Sequence, residues 1–281
     1  MKKIVAIGNS IAGVKALETI RSFDAECALT LFTLDGCYPY QQELFADYFL
    51  KKIKENKIFY QPKEFYEHNR INVILQRQIA RVNFKKKKIF TEEKDRIDFD
   101  FLIIADTNQV KFSDIKGTAK TGVFPLRMMD MKKILAALPF VETVVIESSS
   151  AQGLRMAEAF KEQGKEVIVL DHSVTEILGD SDVKAVRLKS GKVIAAEMVI
   201  FTEARPDLRL FADTELKIDQ RILIDSSLRT NIEGVFAFPP VARFKEEQFN
   251  TGDLTSTFKL EEAGKTIAAN ISAQSVSLTI S

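Results

Sequence analysis

The sequence predicts an α/β fold built from two related units. Three observations carry that prediction. Lys3–Ile7 is an apolar run, the turn Gly8-Asn9-Ser10-Ile11-Ala12-Gly13 follows, Val14–Ile20 continues at helical spacing, and Ala28–Thr33 returns as a second apolar run. The same order recurs over Val141–Glu147, Ser148–Gly153, Leu154–Gln163 and Glu166–Leu170. Between the two copies, Phe99–Ala105 is strongly apolar, which suits a parallel strand buried on both faces.

A strand–turn–helix–strand unit with glycines at both ends of its turn is of the dinucleotide-binding type. Gly8 lets the chain turn sharply, and Gly13 lets the helix lie close to the strand. Ser10, Ile11, Ala12 and Gly13 then present a helix N-terminus to a pyrophosphate. Ser10 stands where a glycine is usual, and a βα unit without a ligand is the plain alternative. The second copy keeps only Gly153. Ser148 and Ser150 hold the other two places, where their hydroxyls either bond a phosphate or cap the helix. Glu147 directly precedes that turn and would oppose a nearby pyrophosphate. Asp171 follows the second strand, where a ribose-binding acid belongs, and favours NAD over NADP.

In order along the chain, Asp35 ends the first unit's second strand, as a ribose acceptor or a turn acid. Cys37, within Cys37-Tyr38-Pro39-Tyr40, is read as an inert thiol, with a redox thiol facing flavin or substrate as the variant. Cys27 is read as packing. Gln42 to Ile53 looks helical, 63–70 is a short helix, and Ile71–Leu75 is a strand. Gln78–Phe84 and Lys88–Thr91 form a hairpin around Lys85-Lys86-Lys87-Lys88. Asp106-Thr107-Asn108 ends the apolar strand in a polar turn at the ligand edge. Lys111 to Phe124 reads as a linker, and Pro125 to Leu138 as a helix. Val183–Lys189 and Val193–Phe201 make a hairpin over Ser190-Gly191. Leu216–Ile218 and Ile222–Asp225 make another. Val235–Phe238 is a last strand, stopped by Pro239-Pro240, and a helix runs from Leu254 to Ala273. His172 is read as a surface residue.

Composition narrows the class. The chain has 281 residues, with 40 basic and 39 acidic side chains and a formal charge of +1. Two cores fit that length, and the charge balance makes no case for nucleic acid. The lysine run is read as a solvated turn. No secretory signal and no membrane-spanning run is recognised, so a cytoplasmic protein is expected. Cys27, Cys37, His68 and His172 form no metal-binding pattern, and no metal is expected. The 12 glycines fall below ordinary usage of roughly 7%.

These segments resemble the pyridine nucleotide–disulfide oxidoreductase superfamily, in the style of rubredoxin reductase and the flavoprotein portion of nitrite reductase. Ile4–Gly13 is similar to the FAD pyrophosphate unit, and Cys37-Tyr38-Pro39-Tyr40 to the proline–tyrosine turn near the flavin. Phe101–Asp106 resembles the strand before the family's alanine–threonine–glycine turn. Ile115-Lys116-Gly117 and Gly122–Arg127 resemble the crossover into the NAD domain. Ser148–Gly153 sits where the NAD glycine turn belongs. Arg205-Pro206-Asp207 and Leu228-Arg229-Thr230 resemble the return segment.

The resemblance implies two Rossmann-like FAD/NAD(P)-binding domains in three-layer ββα sandwiches, the second inserted in the first. The expected boundaries are 1–112 and 232–281 for the FAD-type domain and 113–231 for the NAD-type domain. It implies FAD and NAD as cofactors. Gly8, Ser10, Ile11, Ala12, Gly13, Asp35, Tyr40 and Asp106 are then FAD-side contacts, and Ser148, Ser150, Gly153 and Asp171 are NAD-side contacts. A small-molecule or protein electron acceptor is expected, and neither nucleic acid nor a membrane. The family's C-terminal interface domain, often used in dimerisation, has no counterpart, which leaves the oligomeric state open.

Several family positions depart together. Pro239 and Pro240 stand at the glycine–aspartate pair that contacts the ribityl chain. Ala105-Asp106-Thr107 replaces the alanine–threonine–glycine turn, Gln41 or Gln42 replaces a basic residue, and Glu203 or Ala204 a glycine. Three functions therefore stay open: an FAD-dependent NADH oxidoreductase with altered sites; a degenerate member acting as a nucleotide-binding, regulatory or protein-interaction module; and a thiol redox enzyme using Cys37.

Overall fold

The computed structural model describes residues 1–33, 36–105, 108–109, 115–171, 173–202, 205–206, 208–239, 241–245 and 257–280. The chain opens with β1 (Lys3–Ile7), α1 (Ile11–Phe23) and β2 (Ala28–Phe32). Two short helices, α2 (Phe45–Phe49) and α3 (Lys63–His68), lead to β3 (Ile71–Ile74). A meander of β4 (Ile79–Asn83), β5 (Lys88–Thr91) and β6 (Arg96–Asp98) precedes β7 (Phe101–Ile104). After the short β8 (Asn108–Gln109) come β9 (Val123–Pro125), α4 (Met128–Ala137), β10 (Thr143–Glu147), α5 (Ala151–Glu162) and β11 (Glu166–Leu170). A second meander of β12 (Val174–Leu178), β13 (Ala185–Leu188) and β14 (Val193–Ala195) precedes β15 (Met198–Phe201). The last elements are β16 (Arg205–Pro206), β17 (Ile218–Asp219), β18 (Arg221–Ile224), β19 (Val235–Ala237), β20 (Ala242–Phe244) and α6 (Thr257–Ile280).

The chain divides into two compact units. The first comprises Met1–Tyr40, Phe59–Asn108 and Pro206–Ser281; the second comprises Gln41–Ile58 and Gln109–Arg205. Each contains helices, a parallel sheet and an antiparallel meander, which is the expected Rossmann-like α/β class.

In the first unit the parallel sheet has the order β19-β7-β1-β2-β3. Ile4 to Ile7 and Phe101 to Ile104 are buried without alternation, as strands covered on both faces require. α1 turns Val14, Leu17 and Ile20 inward and ends at Asp24. There the Arg21 guanidinium collects the carbonyls of Ala25 (2.7 Å) and Asn69 (2.8 Å), tying the helix end to the end of α3. α6 crosses α1 with Gly264 at the contact. An ideal Cβ there would lie 2.6 Å from Ala12 O and 2.8 Å from Ala16 N.

In the second unit the parallel order is β11-β10-β15-β9. Val145, Val199 and Phe201 share a core with Val174, Ile177 and Val186 of the meander. The 41–58 excursion belongs to this unit, where Phe49 packs on Phe160 of α5 at 4.5 Å and Lys132 pairs with Glu55 at 3.0 Å.

Some elements differ from the sequence reading. Val193 to Phe201, expected as one hairpin strand, divides in two. Val193–Ala195 is an edge with two exposed positions, whereas Met198–Phe201 is fully buried beside β10. Glu197 sits at the break and accepts the Glu142 and Thr143 N–H groups, which lower its pKa. The sequence predicts no strand at β12, whose burial does not alternate cleanly. Val123–Pro125 joins the sheet, so α4 starts three residues later than expected. Gln42 to Ile53 holds only the short α2 after a 3₁₀ turn, and α6 extends to Ile280.

Gly264→Ala is expected to destabilise the protein by about 1–3 kcal/mol through overpacking, although alanine is the better helix former by about 1 kcal/mol. Urea denaturation monitored by circular dichroism checks the sign; a stabilised variant would contradict the close α1–α6 approach.

Candidate functional site

The two turns are built to one plan. In the first, the Gly8 N–H donates to Phe32 O at 2.7 Å, with Gly8 at a φ of +114°. That conformation strains any residue with a Cβ. Ser10 is the N-cap of α1: its Oγ accepts from the Ala12 N–H at 3.3 Å, and its carbonyl accepts from the Val14 N–H at 3.2 Å. The Ala105 N–H donates to Ile7 O at 2.8 Å, carrying β7 past β1. An ideal Cβ on Gly13 would sit 3.1 Å from Ala105 Cβ, so the helix start lies directly on the sheet. Ile11 and Ala12 are buried beneath it.

The second turn repeats the backbone contacts. The Ser148 N–H donates to Leu170 O at 2.8 Å, Thr202 N–H to Glu147 O at 3.3 Å, and Leu154 N–H to Ser150 O at 3.2 Å. Ser150 caps α5, its Oγ accepting from the Gly153 N–H at 3.2 Å. An ideal Cβ on Gly153 would sit 3.1 Å from Thr202 Oγ1.

One difference separates them. The Ser148 side chain, only 3% exposed, stands where the first turn has Gly8 and no side chain. Its Oγ accepts from the Ser150 N–H at 3.1 Å and lies 3.1 Å from Ser150 Oγ. A Cβ on Gly153 would overlap that hydroxyl. Glu147 is buried and accepts the Val174 N–H through Oε1 at 3.3 Å.

The structure brings Gly8, Ser10, Ile11, Ala12 and Gly13 together in the first unit, and Ser148, Ser150 and Gly153 together in the second. Asp171 is exposed and follows the β11 strand that bonds Ser148. Cys37 is half-buried near the first turn, where Asn9 Nδ2 donates to its Sγ at 3.9 Å. Tyr40 is buried and bridges to Phe59. Asp35, Asp106, His172, Glu203, Ala204 and Pro240 lie outside the described residues. Burial raises the Cys27 thiol pKa, in keeping with a packing role. Burial, and a 2.8 Å hydrogen bond to Glu261, raise that of Tyr60. Ala105 and Thr202, the residues facing the turn glycines, were missed. The signal for them was the duplication itself, since each is the first residue after its central-sheet strand. Among the described residues no three His, Cys, Asp or Glu side chains group as a metal site, and no helix is long and apolar enough to cross a membrane.

A family model described as pyridine nucleotide-disulphide oxidoreductase matches residues 2–173 and 168–253. The chain belongs to that family. Rubredoxin-NAD(+) reductase of Pseudomonas putida is 24% identical over 284 residues, spanning 88% of this chain and 74% of that protein. Nitrite reductase [NAD(P)H] of Bacillus subtilis (strain 168) is 25% identical over 272 residues, 84% of this chain and 34% of the other. Among solved structures, a ferredoxin reductase from Rhodopseudomonas palustris superposes with a TM-score of 0.84 at 18% identity, covering 96% of this chain and 76% of that one. An NADH:rubredoxin oxidoreductase from Clostridium acetobutylicum gives 0.74 at 19%, covering 95% and 74%. At these identities the structural likeness speaks for the fold. Family members bind FAD and NAD(P), which is family-level evidence for an FAD/NAD(P)-dependent oxidoreductase-like protein.

Both turns can be tested against a pyrophosphate, which needs open space over the helix N-terminus and backbone donors left for it. In the first, the turn's own residues are compatible with one: Gly8 adds no side chain, and the cap hydroxyl takes one N–H. In the second, Ser148 occupies the cradle and takes the Ser150 N–H, with a buried carboxylate next to it. NAD(P) does not fit there in the manner of the first turn.

Gly153→Ala is expected to cost about 1–3 kcal/mol, and distinctly less in a Ser148→Gly background, because the overlapping hydroxyl is then gone. A double-mutant cycle by chemical denaturation measures this, and equal costs in both backgrounds would refute the packing account.

Proposed function

We propose that the protein is a dinucleotide-binding member of its family that works through the first turn and does not take hydride from NAD(P)H at the second. FAD is the family cofactor that the Gly8–Gly13 turn would hold, and a bound flavin would supply the redox chemistry. The observation that carries this reading is the Ser148 side chain in the second turn, bonded to the Ser150 N–H where an open cradle is needed. At the equivalent position of the first turn Gly8 has no side chain to place there. A nucleotide-responsive binding or regulatory module follows from one usable site and one closed site.

A second reading keeps the enzymatic activity: NADH reduces the flavin, and electrons pass to a small-molecule or protein acceptor. The intact strand–turn–helix register around Ser150, with Asp171 after β11, favours it. Ser148 weighs against it, since a nicotinamide dinucleotide would have to displace a buried hydroxyl and break its bond.

Titration with FAD, followed by flavin fluorescence, is expected to show binding that Gly8→Asp abolishes, because a carboxylate and an added side chain both oppose a pyrophosphate. Anaerobic NADH or NADPH is expected to leave the flavin spectrum unbleached. Bleaching within seconds at about millimolar NADH would transfer the case to the second reading.

A further inference from the structure

We infer that β11 is a docking edge for a second copy of this chain, the two β11 strands pairing antiparallel about a two-fold axis at Ile168. β11 stands at one end of the order β11-β10-β15-β9, and Val167 to Leu170 are all half-buried there. The Glu166 N–H donates to Glu142 O at 2.9 Å, and Leu170 O accepts the Ser148 N–H at 2.8 Å. The even-numbered residues therefore turn their backbone groups toward β10. Because a strand alternates, Val167 and Val169 turn theirs outward. Among the described residues nothing pairs with that outer side.

Sheet edges are commonly kept from pairing with another chain by shortness, a proline, a bulge or a charge along the strand. β9, at the opposite edge, has three residues and ends in Pro125. The run Val167-Ile168-Val169-Leu170 carries none of these devices, and its register with β10 is unbroken. Its charges stand at the ends, and they are self-complementary. With Ile168 opposite the partner's Ile168, Val167 meets the partner's Val169, and the outward groups of both strands exchange backbone hydrogen bonds. The same register sets Lys165 opposite the partner's Asp171 at both ends of the run. A shift of two residues keeps the outward groups facing, but it sets Lys165 opposite Val169 or Ser173 and loses both charge pairs. Lys165 Nζ donates to Val141 O at 2.8 Å and has further protons for a carboxylate.

The pairing joins two sheets into one under closed two-fold symmetry, the commonest arrangement of homo-oligomers. α5 packs on both β10 and β11, so the two copies of α5 come to lie two strand spacings, roughly 10 Å, apart. That is an ordinary distance for packed helices.

Sedimentation velocity of the full chain over about 1–100 μM tests this, and the expected result is a species of twice the chain mass growing with concentration. Val169→Pro removes an outward donor and none that faces β10, so it is expected to leave a folded monomer. Asp171→Lys is expected to weaken the dimer about ten-fold, and the swap Lys165→Asp with Asp171→Lys to restore it. These charge variants keep the backbone donors in place and decide the matter should the proline variant unfold. A chain that stays monomeric at about 100 μM overturns the inference. So does a dimer that the charge variants leave unchanged, which would be held by another surface.

Discussion

The closeness of helix to sheet at the third position of each turn governs the two nucleotide-type units. A side chain at Gly13 would meet Ala105 at 3.1 Å, and one at Gly153 would meet Thr202 at the same distance. Helix and strand can pack that closely only if the helical residue has no Cβ and the facing residue is small. The helix start is thereby held at the carboxyl end of the central strand. The capping serines, the strand register and the carbonyl bonds from Phe32 and Leu170 all follow from that placement.

Against this common frame the first position of the turn is where the units part. Gly8 and Ser148 make the same backbone bond to the neighbouring strand, so the change leaves the fold intact. The serine hydroxyl nevertheless acquires two partners inside the turn, and Gly153 is then kept for a second reason, to make room for it. A glycine retained from a binding motif has become part of an internal packing contact.

Much of the fold was legible because it is repeated. Apolar runs without alternation marked β1, β7 and β10, and the turn signatures placed α1 and α5. The division of Val193–Phe201 was not legible, since edge and buried strand share β-branched and apolar residues and differ only in what covers them. The direction of the Ser148 side chain was also beyond sequence: the same residue can bond a phosphate or close on itself. The scarcity of glycine has a further source than the altered cofactor turns. Lys51, Arg70, Gln76, Lys87, Lys94, Gln220 and Leu228 adopt left-handed backbone conformations, where glycine is the usual residue. Each such position costs about 1 kcal/mol or more, a price the turn sequences of this chain carry in several places.

The Ser148–Ser150 contact makes the second turn self-sufficient. The chain itself takes the Ser150 and Gly153 N–H groups at the start of α5. The first turn has no serine side chain at the Gly8 position, and a ligand bound there would add stability that rises with the logarithm of its concentration. Under the proposed function, one polypeptide joins a half whose folding free energy follows the nucleotide pool to a half that does not, and the resistance of the first half to unfolding or proteolysis becomes a measure of nucleotide supply.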